Sequence, residues 1–404
     1  MQLVEQHVIK QTDSRYQAID AAAFASKNLY NAANYVIRQA FIHEGVYLCY
    51  EEMHAHMKSH EAYKALPRKV SQQVLRLLHK NWVSFFKAIA AWKAEPSQFL
   101  GRPCLPKYKD KQHGRTILVY TIQALSKPAV ARGKIVPSGL PTTIETKHRS
   151  VNQVRIVPKS GFYVVEVVYD QAETQADVDK TLMAAVDIGV NNLVALTSNK
   201  EGFIPRLVNG RLLKSTNQFY NKRRAELQSQ LPQGQNWTGR MQRMTDKRTR
   251  RIEHYLHTAS KRIIDLLVAE GIGTLIIGKN PSWKQECQMR KKDKQHFVQL
   301  PHARFVDMLS YKAKLIGIQV VLTEESYTSQ ASFLDGDFIP TYGKVEEEAV
   351  FSGKRLKRGL YRAGNGLRFN ADVNGSYNIL RKAAPDALAQ GSRGCVVHPS
   401  RLTV

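Results

Sequence analysis

The order of apolar segments between residues 183 and 382 constrains the fold of this chain more than any other feature. Three strand patterns come first, two helical patterns follow, and strands and helices then alternate: MAAVDIG, NNLVALTSN, residues 206–208, helices over residues 214–230 and 238–270, the strand TLIIG, a helix over residues 303–316, the strand IQVVLTEES and a helix over residues 374–382. Short apolar runs bounded by turn residues predict buried strands, and the apolar spacing of the longer segments predicts helices. This part of the chain is therefore expected to form an α/β domain.

Three strands followed by alternating helices and strands are the order expected of an RNase H-like fold, and an acid lies inside the first strand. Asp187 belongs to the otherwise apolar segment 183–190. A charge in a buried strand is costly unless it is paired or bound to metal, so Asp187 is a candidate ligand, with a structural ion pair as the alternative. A second acid, Asp372, stands where the last helix begins, in NADVNGSYNIL. An N-cap or first-turn carboxylate is the alternative role for Asp372.

A third carboxylate is needed if two divalent ions are to be held about 4 Å apart for phosphodiester hydrolysis. The TLIIG strand ends in Gly278-Lys279-Asn280, which contains no acid, but the following strand ends in Glu324-Glu325. With a strand order of 3-2-1-4-5, Glu325 would reach across the place left empty at residue 279. Neighbouring strands are about 4.8 Å apart, a distance that a glutamate side chain can span.

The first 177 residues have a different pattern of predicted strands and helices. A strand-like opening leads into two helices, one with Ala22, Leu29, Ala33 and Val36 at helical spacing and one over residues 71–93. From residue 101, short strands separated by glycine and proline predict an antiparallel barrel or sandwich. The polar segment DQAETQADVD reads as a linker, which predicts a domain boundary near residue 178.

The charge of the chain points to a polyanionic partner. Its 60 lysines and arginines outnumber 34 acids, giving a formal net charge of +26, and residues 201–300 alone hold 20 basic against 8 acidic residues. Clusters of basic residues predict a channel that follows a phosphate backbone, although any single lysine is better explained as part of a solvated face. The clusters are Lys222-Arg223-Arg224, Lys247-Arg248, Arg250-Arg251 and Arg290-Lys291-Lys292.

Membrane and secreted classes are disfavoured. No apolar run reaches the roughly 18 residues of a spanning helix, and the first residues lack the pattern of a signal peptide. The four cysteines, Cys49, Cys104, Cys287 and Cys395, are far apart and form neither a CxxC nor a CxxxH pair. They predict neither a disulfide framework nor a zinc site, and they fit a reducing cytosol.

Five separated segments, AAVDIGVNNLVAL, LIIGKNPSWKQ, EESYTSQASFLDGD, GKRLKRGLY and NADVNGSYNIL, resemble the TnpB (OrfB) family of transposon-encoded RNA-guided DNA nucleases, ancestors of the type V CRISPR effectors. The resemblance covers nearly the whole chain. It implies a multidomain α+β protein: an oligonucleotide-binding-like wedge barrel with a helical recognition insert, followed by a RuvC-like, RNase H-like nuclease domain with a small insert of its own. The implied bounds are residues 1–15 and 97–177 for the wedge, 16–96 for the recognition domain, 178–327 and 369–390 for the nuclease, 328–368 for its target-strand-loading insert and 391–404 for a C-terminal tail.

The resemblance also implies a catalytic and metal-binding set. The first and last acids of the family fall on Asp187 and Asp372, and the usual middle glutamate falls at Lys279. Some members, like the eukaryotic Fanzor relatives, use a relocated glutamate just before the T-S motif, which implies Glu325 as the middle ligand and Glu324 as the fallback. The implied reaction is hydrolysis with two Mg²⁺ ions, in which Asp187 bridges the ions.

Many family members carry a zinc ribbon in the insert, but residues 329–370 contain no cysteine, so no zinc is expected here. The insert is expected to contact phosphates through Lys354, Arg355, Lys357 and Arg358. The expected partners are a guide RNA and double-stranded target DNA, bound by a monomer in complex with its RNA, in a prokaryotic cytoplasm at the nucleoid. Candidates for reading a flanking DNA motif are Lys27, Asn34, Arg38 and Arg76.

Two other functions remain open at this level. A nuclease-inactive, RNA-guided DNA-binding repressor is suggested by Lys279 at the place of the usual acid. A transposase that moves DNA without a guide is the other alternative. The two aspartates and the acid pair at residues 324–325 favour the nuclease.

Overall fold

The computed structural model describes residues 1–280, 295, 297–341, 349–388 and 398–404. The chain divides into two compact units, Met1–Gln171 and Ala172–Val404, a few residues before the boundary predicted near residue 178. The basic cluster Arg290-Lys291-Lys292 lies outside the described residues. In the described ranges, no helix combines the length and apolar character that crossing a membrane requires.

The first unit combines a four-stranded antiparallel sheet with helices. Its elements are β1 (Gln2–Lys10), α1 (Tyr16–Gln39), α2 (Tyr50–Met57), α3 (Glu61–Lys64), α4 (Arg68–Ala94), β2 (Leu118–Thr121), α5 (Lys127–Ala131), β3 (Lys134–Ile135), β4 (Ile144–Glu145), β5 (Gln153–Lys159) and β6 (Phe162–Asp170). The sheet has the order β1-β6-β5-β2, and β3 pairs with β4 in a separate ribbon. Strands β1 and β2 remain as its two edges, so the sheet is open.

An open sheet differs from the barrel or sandwich that the strand pattern predicts. Helices pack on its apolar face, and Ile135 and Ile144 of the β3–β4 ribbon join the same core. Leu118 and Val165 of the sheet belong to the same buried cluster as Leu29 of α1 and Trp82 of α4. The segment expected to be a separate helical insert therefore shares one core with the strands around it.

Four polar residues proposed to read a flanking DNA motif are engaged within this unit. Lys27 is buried and donates to the Lys111 carbonyl at 2.7 Å. The Asn34 side chain accepts from Trp82 Nε1 at 3.0 Å, and both Asn34 and Arg38 donate to the Pro106 carbonyl. The guanidinium of Arg76 lies over the Tyr50 ring at 5.1 Å. Lys27 and Asn34 therefore hold α1 against its neighbours, and their burial leaves them unable to read DNA bases.

The second unit is built on a six-stranded mixed sheet. Its elements are β7 (Asp179–Asp187), β8 (Asn192–Ser198), β9 (Arg206–Asn209), α6 (Arg211–Ser229), α7 (Gly239–Ala269), β10 (Ile272–Gly278), α8 (His302–Leu315), β11 (Gln319–Thr323), β12 (Lys354–Lys357), β13 (Leu360–Arg362), β14 (Arg368–Asn370), α9 (Ala371–Ala383) and β15 (Ser400–Leu402). The order is β11-β10-β7-β8-β9-β15, so its first five strands follow the expected 3-2-1-4-5 arrangement. The described end of the predicted tail adds a sixth strand, because β15 pairs in parallel with β9.

Side chains along β7 and β10 alternate between two helical layers, as strand geometry requires. One row packs with α7 and α8, and the other packs with Ile379 and Leu380 of α9: Ala184, Val186, Leu275 and Ile277 in the first row, Ala185 and Ile276 in the second. Continuing this alternation places Asp187 and Gly278 on the α9 side. Strands β7, β10 and β11 run parallel, so their carboxyl ends meet at one edge of the sheet.

A network in the first unit offers a test of its packing. Asp20 of α1 accepts hydrogen bonds from Arg115 at 2.7 and 2.9 Å and from the Tyr163 hydroxyl of β6 at 2.7 Å. The Arg115 hydrogen bond, opposed by burial and aided by Tyr163, holds the pKa of Asp20 below its ordinary value. Asp20 therefore joins the helix to the sheet through its charged form.

We expect Asp20→Asn to lower the free energy of unfolding of this unit by about 1–3 kcal/mol at pH 7. An acid whose folded pKa is lowered stabilises the fold above its unfolded pKa and loses that effect as the pH falls through the folded value. The difference between the two proteins should therefore vanish on acidification below about pH 4. Denaturant unfolding across this pH range measures it. Asp265→Asn, which breaks an exposed ion pair with Lys261 on α7, should cost less than about 0.5 kcal/mol.

Candidate active site

Asp187 is the last residue of β7 and lies close to α9. A Cβ built on Gly375 of α9 would lie 2.7 Å from Asp187 Oδ2, so the carboxylate fills the space that a side chain at residue 375 would need. The helix is tied to the sheet beside it, because the Ser376 hydroxyl donates to the Ala185 carbonyl at 2.9 Å. The close approach of α9 to β7 thus depends on a glycine.

Asp372 lies in the first turn of α9 but is not its N-cap. Asn370 takes that role, and its side chain accepts from the main-chain N–H groups of Asp372 and Val373. The Asp372 carboxylate is left available for other partners. It accepts from Asn192 Nδ2 at 2.8 Å, and Arg355 Nη2 lies 3.3 Å from its other oxygen.

Glu325 follows β11 and returns toward the end of β10. Its main-chain N–H donates to Asn280 Oδ1 at 2.9 Å. Its Oε2 atom is buried and finds no hydrogen-bond partner among the described residues. A buried carboxylate oxygen without a partner loses its hydration and gains nothing in return, so it needs a proton or a cation.

The three acids interact through Asp187. Removal from water and the charge of Asp372 raise the pKa of Asp187 to about 7, against a lowering by Arg355. Burial and the charge of Asp187 raise the pKa of Glu325 to about 8, with Glu324 adding to the rise and Lys382 opposing it. Across the described part of the chain, no three acidic, histidine or cysteine side chains are close enough to hold one metal ion between them. The acids form two interacting pairs that share Asp187.

The neighbouring Glu324 has a different environment. It forms an ion pair with Lys382 of α9 and accepts from the Ser326 N–H at 2.6 Å. Burial alone would raise the pKa of Glu324, but these hydrogen bonds outweigh burial and leave the pKa below its ordinary value. Lys382 also donates to the Ser326 and Pro340 carbonyls. Glu324 is thus engaged in fastening the loop after β11 to α9.

Two asparagines explain the D-x-N-x-x-x-N spacing of α9. Asn374 and Asn378 both donate to the Ala331 carbonyl, at 2.8 and 2.7 Å. Asn378 also donates to the Thr328 carbonyl, and the Thr328 hydroxyl donates to the Glu325 carbonyl at 2.8 Å. The loop that carries Glu325 is therefore held by the same helix that carries Asp372.

The segment after this loop shares a small core with α9 and has a pair of acids that hold its turns. The buried aromatic residues of this core are Phe333, Tyr361, Phe369 and, on α9, Tyr377. Asp335 accepts from the main-chain N–H of Gly364 at 2.6 Å, and Asp337 accepts from those of Ser332 and Ser352. Strands β12, β13 and β14 form an antiparallel sheet, and β12 carries Arg355 to Asp372.

The basic residues predicted to contact nucleic acid are mostly exposed. The exposed ones are Lys222, Arg224, Lys247, Arg250, Arg251, Lys354, Arg355, Lys357 and Arg358. The other two, Arg223 and Arg248, are only partly exposed. Arg248 donates to Asn217 Oδ1 at 2.7 Å and lies over the Tyr220 ring, and Arg223 pairs with Glu226. Arg248 therefore joins α7 to α6, and its half-buried guanidinium makes a poor phosphate contact.

Sequence reasoning missed several residues that shape this site: Asn192, Gly278, Asn280, Gly375 and Lys382. For some of these residues the sequence contains a local signal. Asn192 follows Asp187 in a D-I-G-V-N-N turn, and Gly375 lies within the Asp372 motif. Lys382 had no local signal, because its partner Glu324 is 58 residues away in the chain.

Comparisons with known proteins agree with this organisation. Residues 164–284 match the family OrfB_IS605, described as a probable transposase, and residues 302–379 match the Cas12f1-like TNB domain. The chain is 23% identical over 401 residues to the TnpB-like protein ORF457 of Acidianus two-tailed virus, covering 89% of this chain and 81% of that protein. The chain is a member of the TnpB family, related to the type V effectors.

The fold of this TnpB family member is a multidomain α+β fold that resembles Cas12 effectors. The structure of a Cas12f1–sgRNA–target DNA complex matches it with a TM-score of 0.52 at 15% identity, covering 89% of this chain and 81% of that one. The first matched family segment contains Asp187, Gly278 and Asn280, and the second contains Glu325 and Asp372.

The raised pKa of Asp187 leads to a stability prediction that needs no substrate. When folding raises the pKa of an acid, the fold loses stability as the pH rises from the unfolded value of about 4 to the folded value of about 7. Asp187→Asn removes this penalty, so in EDTA at pH 8 the variant of this TnpB family member should be more stable by at least about 1 kcal/mol, and at pH 4 it should equal the wild type.

Thermal unfolding at the two pH values measures this effect. The control is Asp179, at the other end of β7, where hydrogen bonds from Thr181 lower the pKa of the carboxyl. Asp179→Asn should not stabilise the protein at pH 8. Equal stability of Asp187→Asn and wild type at pH 8 would show that burial and the charge of Asp372 do not raise the pKa of this carboxyl in the folded state.

Proposed function

We propose that this TnpB family member is a transposon-encoded, RNA-guided DNA endonuclease. Its active site comprises Asp187, Glu325 and Asp372, and it cleaves DNA by Mg²⁺-dependent phosphodiester hydrolysis. The observation that carries the proposal is the unpartnered, buried Oε2 of Glu325 beside a second acid, Asp187, at the carboxyl edge of a sheet. Such an arrangement is unfavourable in a purely structural acid and is typical of a cation site.

The residues present fit divalent metal ions. Carboxylate oxygens are the preferred ligands of Mg²⁺, and Glu325 offers one that nothing else satisfies. Asp187 would be shared, with Glu325 on one side and Asp372 on the other, as the two pairwise charge interactions suggest. Bound ions would activate a water molecule and stabilise the leaving 3′ oxygen.

The neighbouring side chains have positioning and charge roles. Asn192 orients the Asp372 carboxylate through its 2.8 Å hydrogen bond. Arg355 is exposed on the insert and points its guanidinium at the acids, where it is suited to contact the phosphate that is cleaved. Lys382 keeps Glu324 away from the metal ligands by pairing with it.

Two polyanions account for the surplus of positive charge. The related Cas12f1 structure holds both an sgRNA and target DNA. Exposed lysines and arginines on α6, α7 and β12 would follow the backbones of a guide RNA and its paired DNA strand, while base pairing supplies the sequence specificity. A nuclease-inactive repressor was suggested by Lys279, but the Lys279 side chain is exposed and Glu325 supplies a third acid, which favours the nuclease.

The function is tested by purifying the full chain with the RNA that accompanies it, sequencing that RNA and offering a plasmid that contains the matching sequence. Mg²⁺-dependent cleavage at the matched site is the expected result, and ribonuclease treatment beforehand should abolish it. Cleavage that survives removal of the RNA would identify an unguided transposase instead. RNA-dependent binding without cleavage would identify the repressor.

The choice between the two glutamates gives a separate prediction. Glu325→Gln should reduce cleavage at least 100-fold, as Asp187→Asn and Asp372→Asn should, with RNA and DNA binding retained. Glu324→Gln should retain cleavage within about 10-fold, and it should lower stability because it leaves Lys382, which is 11% exposed, without its anionic partner. Single-turnover cleavage rates and thermal unfolding distinguish the two effects. An inactive Glu324→Gln beside an active Glu325→Gln would reverse the assignment.

A prediction for the basic surface uses two exposed residues of α7. Lys247 and Arg251 are four residues apart and so lie on one face of the helix. Replacing both with glutamine should weaken RNA binding and reduce the slope of log affinity against log salt by about 1 for each phosphate contact removed. Lys261→Gln, on the same helix but in an ion pair with Asp265, is the control and should leave the slope unchanged. Equal slopes for all three proteins would place the RNA elsewhere.

A further inference from the structure

We infer that Gly278 and Asn280 are the positioning residues of Glu325: the missing side chain at residue 278 leaves the space that the Glu325 carboxylate fills, and Asn280 holds its main chain. The inference rests on the proposed function, in which Glu325 is a metal ligand. It corrects the position expected from sequence. The place left empty on β10 is that of residue 278, one residue before Lys279.

The direction of each side chain on β10 supports residue 278. Leu275 and Ile277 pack toward α7 and α8, whereas Ile276 packs against α9. Alternation therefore directs residue 278 to the α9 side, where the acids are, and residue 279 to the opposite side. Lys279 is exposed, in agreement with this direction. The lysine that lowers the pKa of Glu325 is Lys382 of α9, and not Lys279.

The distance at Gly278 is the decisive observation. A Cβ built on this residue would lie 2.6 Å from Glu325 Oε2, closer than a Cβ atom normally approaches a neighbouring atom, so the carboxylate would have to shift. The same Cβ would lie 2.6 Å from Ile379 Cδ1 of α9. The carboxylate of Glu325 thus lies directly over the main chain of β10, between the strand and the helix. Any side chain at residue 278 would compete with it for this space.

Asn280 supplies the second contact. Its Oδ1 accepts the main-chain N–H of Glu325 at 2.9 Å, across the gap between the ends of β10 and β11. The main chains continue the pairing of these strands just before it, where the Lys279 N–H donates to the Thr323 carbonyl at 2.8 Å. Asn280 therefore fixes where Glu325 leaves β11, and Gly278 provides the space into which its side chain turns.

The same geometry occurs at the other acid of the pair. Gly375 leaves space for the Asp187 carboxylate, just as Gly278 leaves space for that of Glu325. Each of the two repelling carboxylates consequently lies against a main chain without a side chain. A third carboxylate could therefore come from an acidic side chain at residue 278, or from Glu325 reaching over a glycine at residue 278. The two carboxylates would need the same space, so they exclude each other.

The first test moves the acid back to β10. In the full chain with its own RNA, Glu325→Gln should cleave matched DNA at least 100-fold more slowly than wild type. Adding Gly278→Glu to Glu325→Gln should recover at least 10-fold of the lost rate, because the new carboxylate occupies the vacated space. Adding Lys279→Glu instead, one residue away, should recover none. If adding Lys279→Glu to Glu325→Gln recovered cleavage and adding Gly278→Glu did not, the inference would be overturned.

A second readout does not require cleavage. The thermal midpoint of the protein–RNA complex without DNA is followed as Mg²⁺ is added, and the Mg²⁺ concentration for half of the rise is compared between variants. Glu325→Gln should raise this concentration at least 10-fold, and Gly278→Glu should restore it. If wild type shows the Mg²⁺ effect but does not cleave, the proposed function fails while the positions of the ligands are still tested.

Gly278→Ala provides a test that remains valid if the Gly278→Glu, Glu325→Gln variant does not fold. It is made together with Ile379→Val, which removes the Cδ1 atom that the new methyl group would also meet. Relative to Ile379→Val alone, Gly278→Ala combined with Ile379→Val should raise the Mg²⁺ concentration for half of the rise at least 10-fold. When Glu325→Gln is also present, adding Gly278→Ala should not raise this concentration further. Asn280→Ala should act in the same direction, and Asn280→Asp, which keeps an acceptor, should retain more of the Mg²⁺ effect. Wild-type Mg²⁺ dependence in Gly278→Ala would overturn the inference.

Discussion

The close approach of Asp187 and Glu325 is the constraint that the contacts around the carboxyl edge of the second unit have to satisfy. Both carboxylates are partly buried at one edge of a sheet. Burial raises the pKa of each, the charge of Asp187 raises that of Glu325 further, and Glu325 Oε2 has no partner among the described residues. Such a pair makes the metal-free fold less stable than a neutral pair would. It persists because the surrounding contacts hold both acids: α9 is tied to β7 through Ser376, and Asn280 and Thr328 hold the main chain at Glu325.

Much of this arrangement could be predicted from the sequence. The apolar runs predict the order of strands and helices, and the adjacent pairing of the central strands follows from it. Asp187 stands out because a lone charge in an apolar strand requires an explanation, and the two acids after β11 stand out for the same reason. At each of these positions a charged residue stands in strong local contrast to its hydrophobic surroundings in the chain.

The remaining features depend on contacts between distant parts of the chain. Glu324 and Glu325 are adjacent acids, and only Lys382, on another element, separates their roles. The resemblance places the family's usual glutamate at residue 279, whereas the alternation of β10 directs residue 278 to the α9 side, because the face of each residue depends on which helix layer it meets. Strand β15 has three residues, too few for a periodic pattern, and the sheet of the first unit is open, with helices packed on its apolar face. The expected bounds of the nuclease insert and of the recognition segment remain predictions.

Glu325, reaching over Gly278, is the third metal ligand that we propose. The most direct measurement is anomalous diffraction at the manganese edge from crystals of the full chain with its RNA, grown with Mn²⁺ in place of Mg²⁺. We expect an anomalous peak in contact with the carboxylates of both Asp187 and Glu325, with Glu324 still paired to Lys382. A peak bound by Asp187 and Asp372 with Glu325 turned away, or one bound by Glu324, would contradict it.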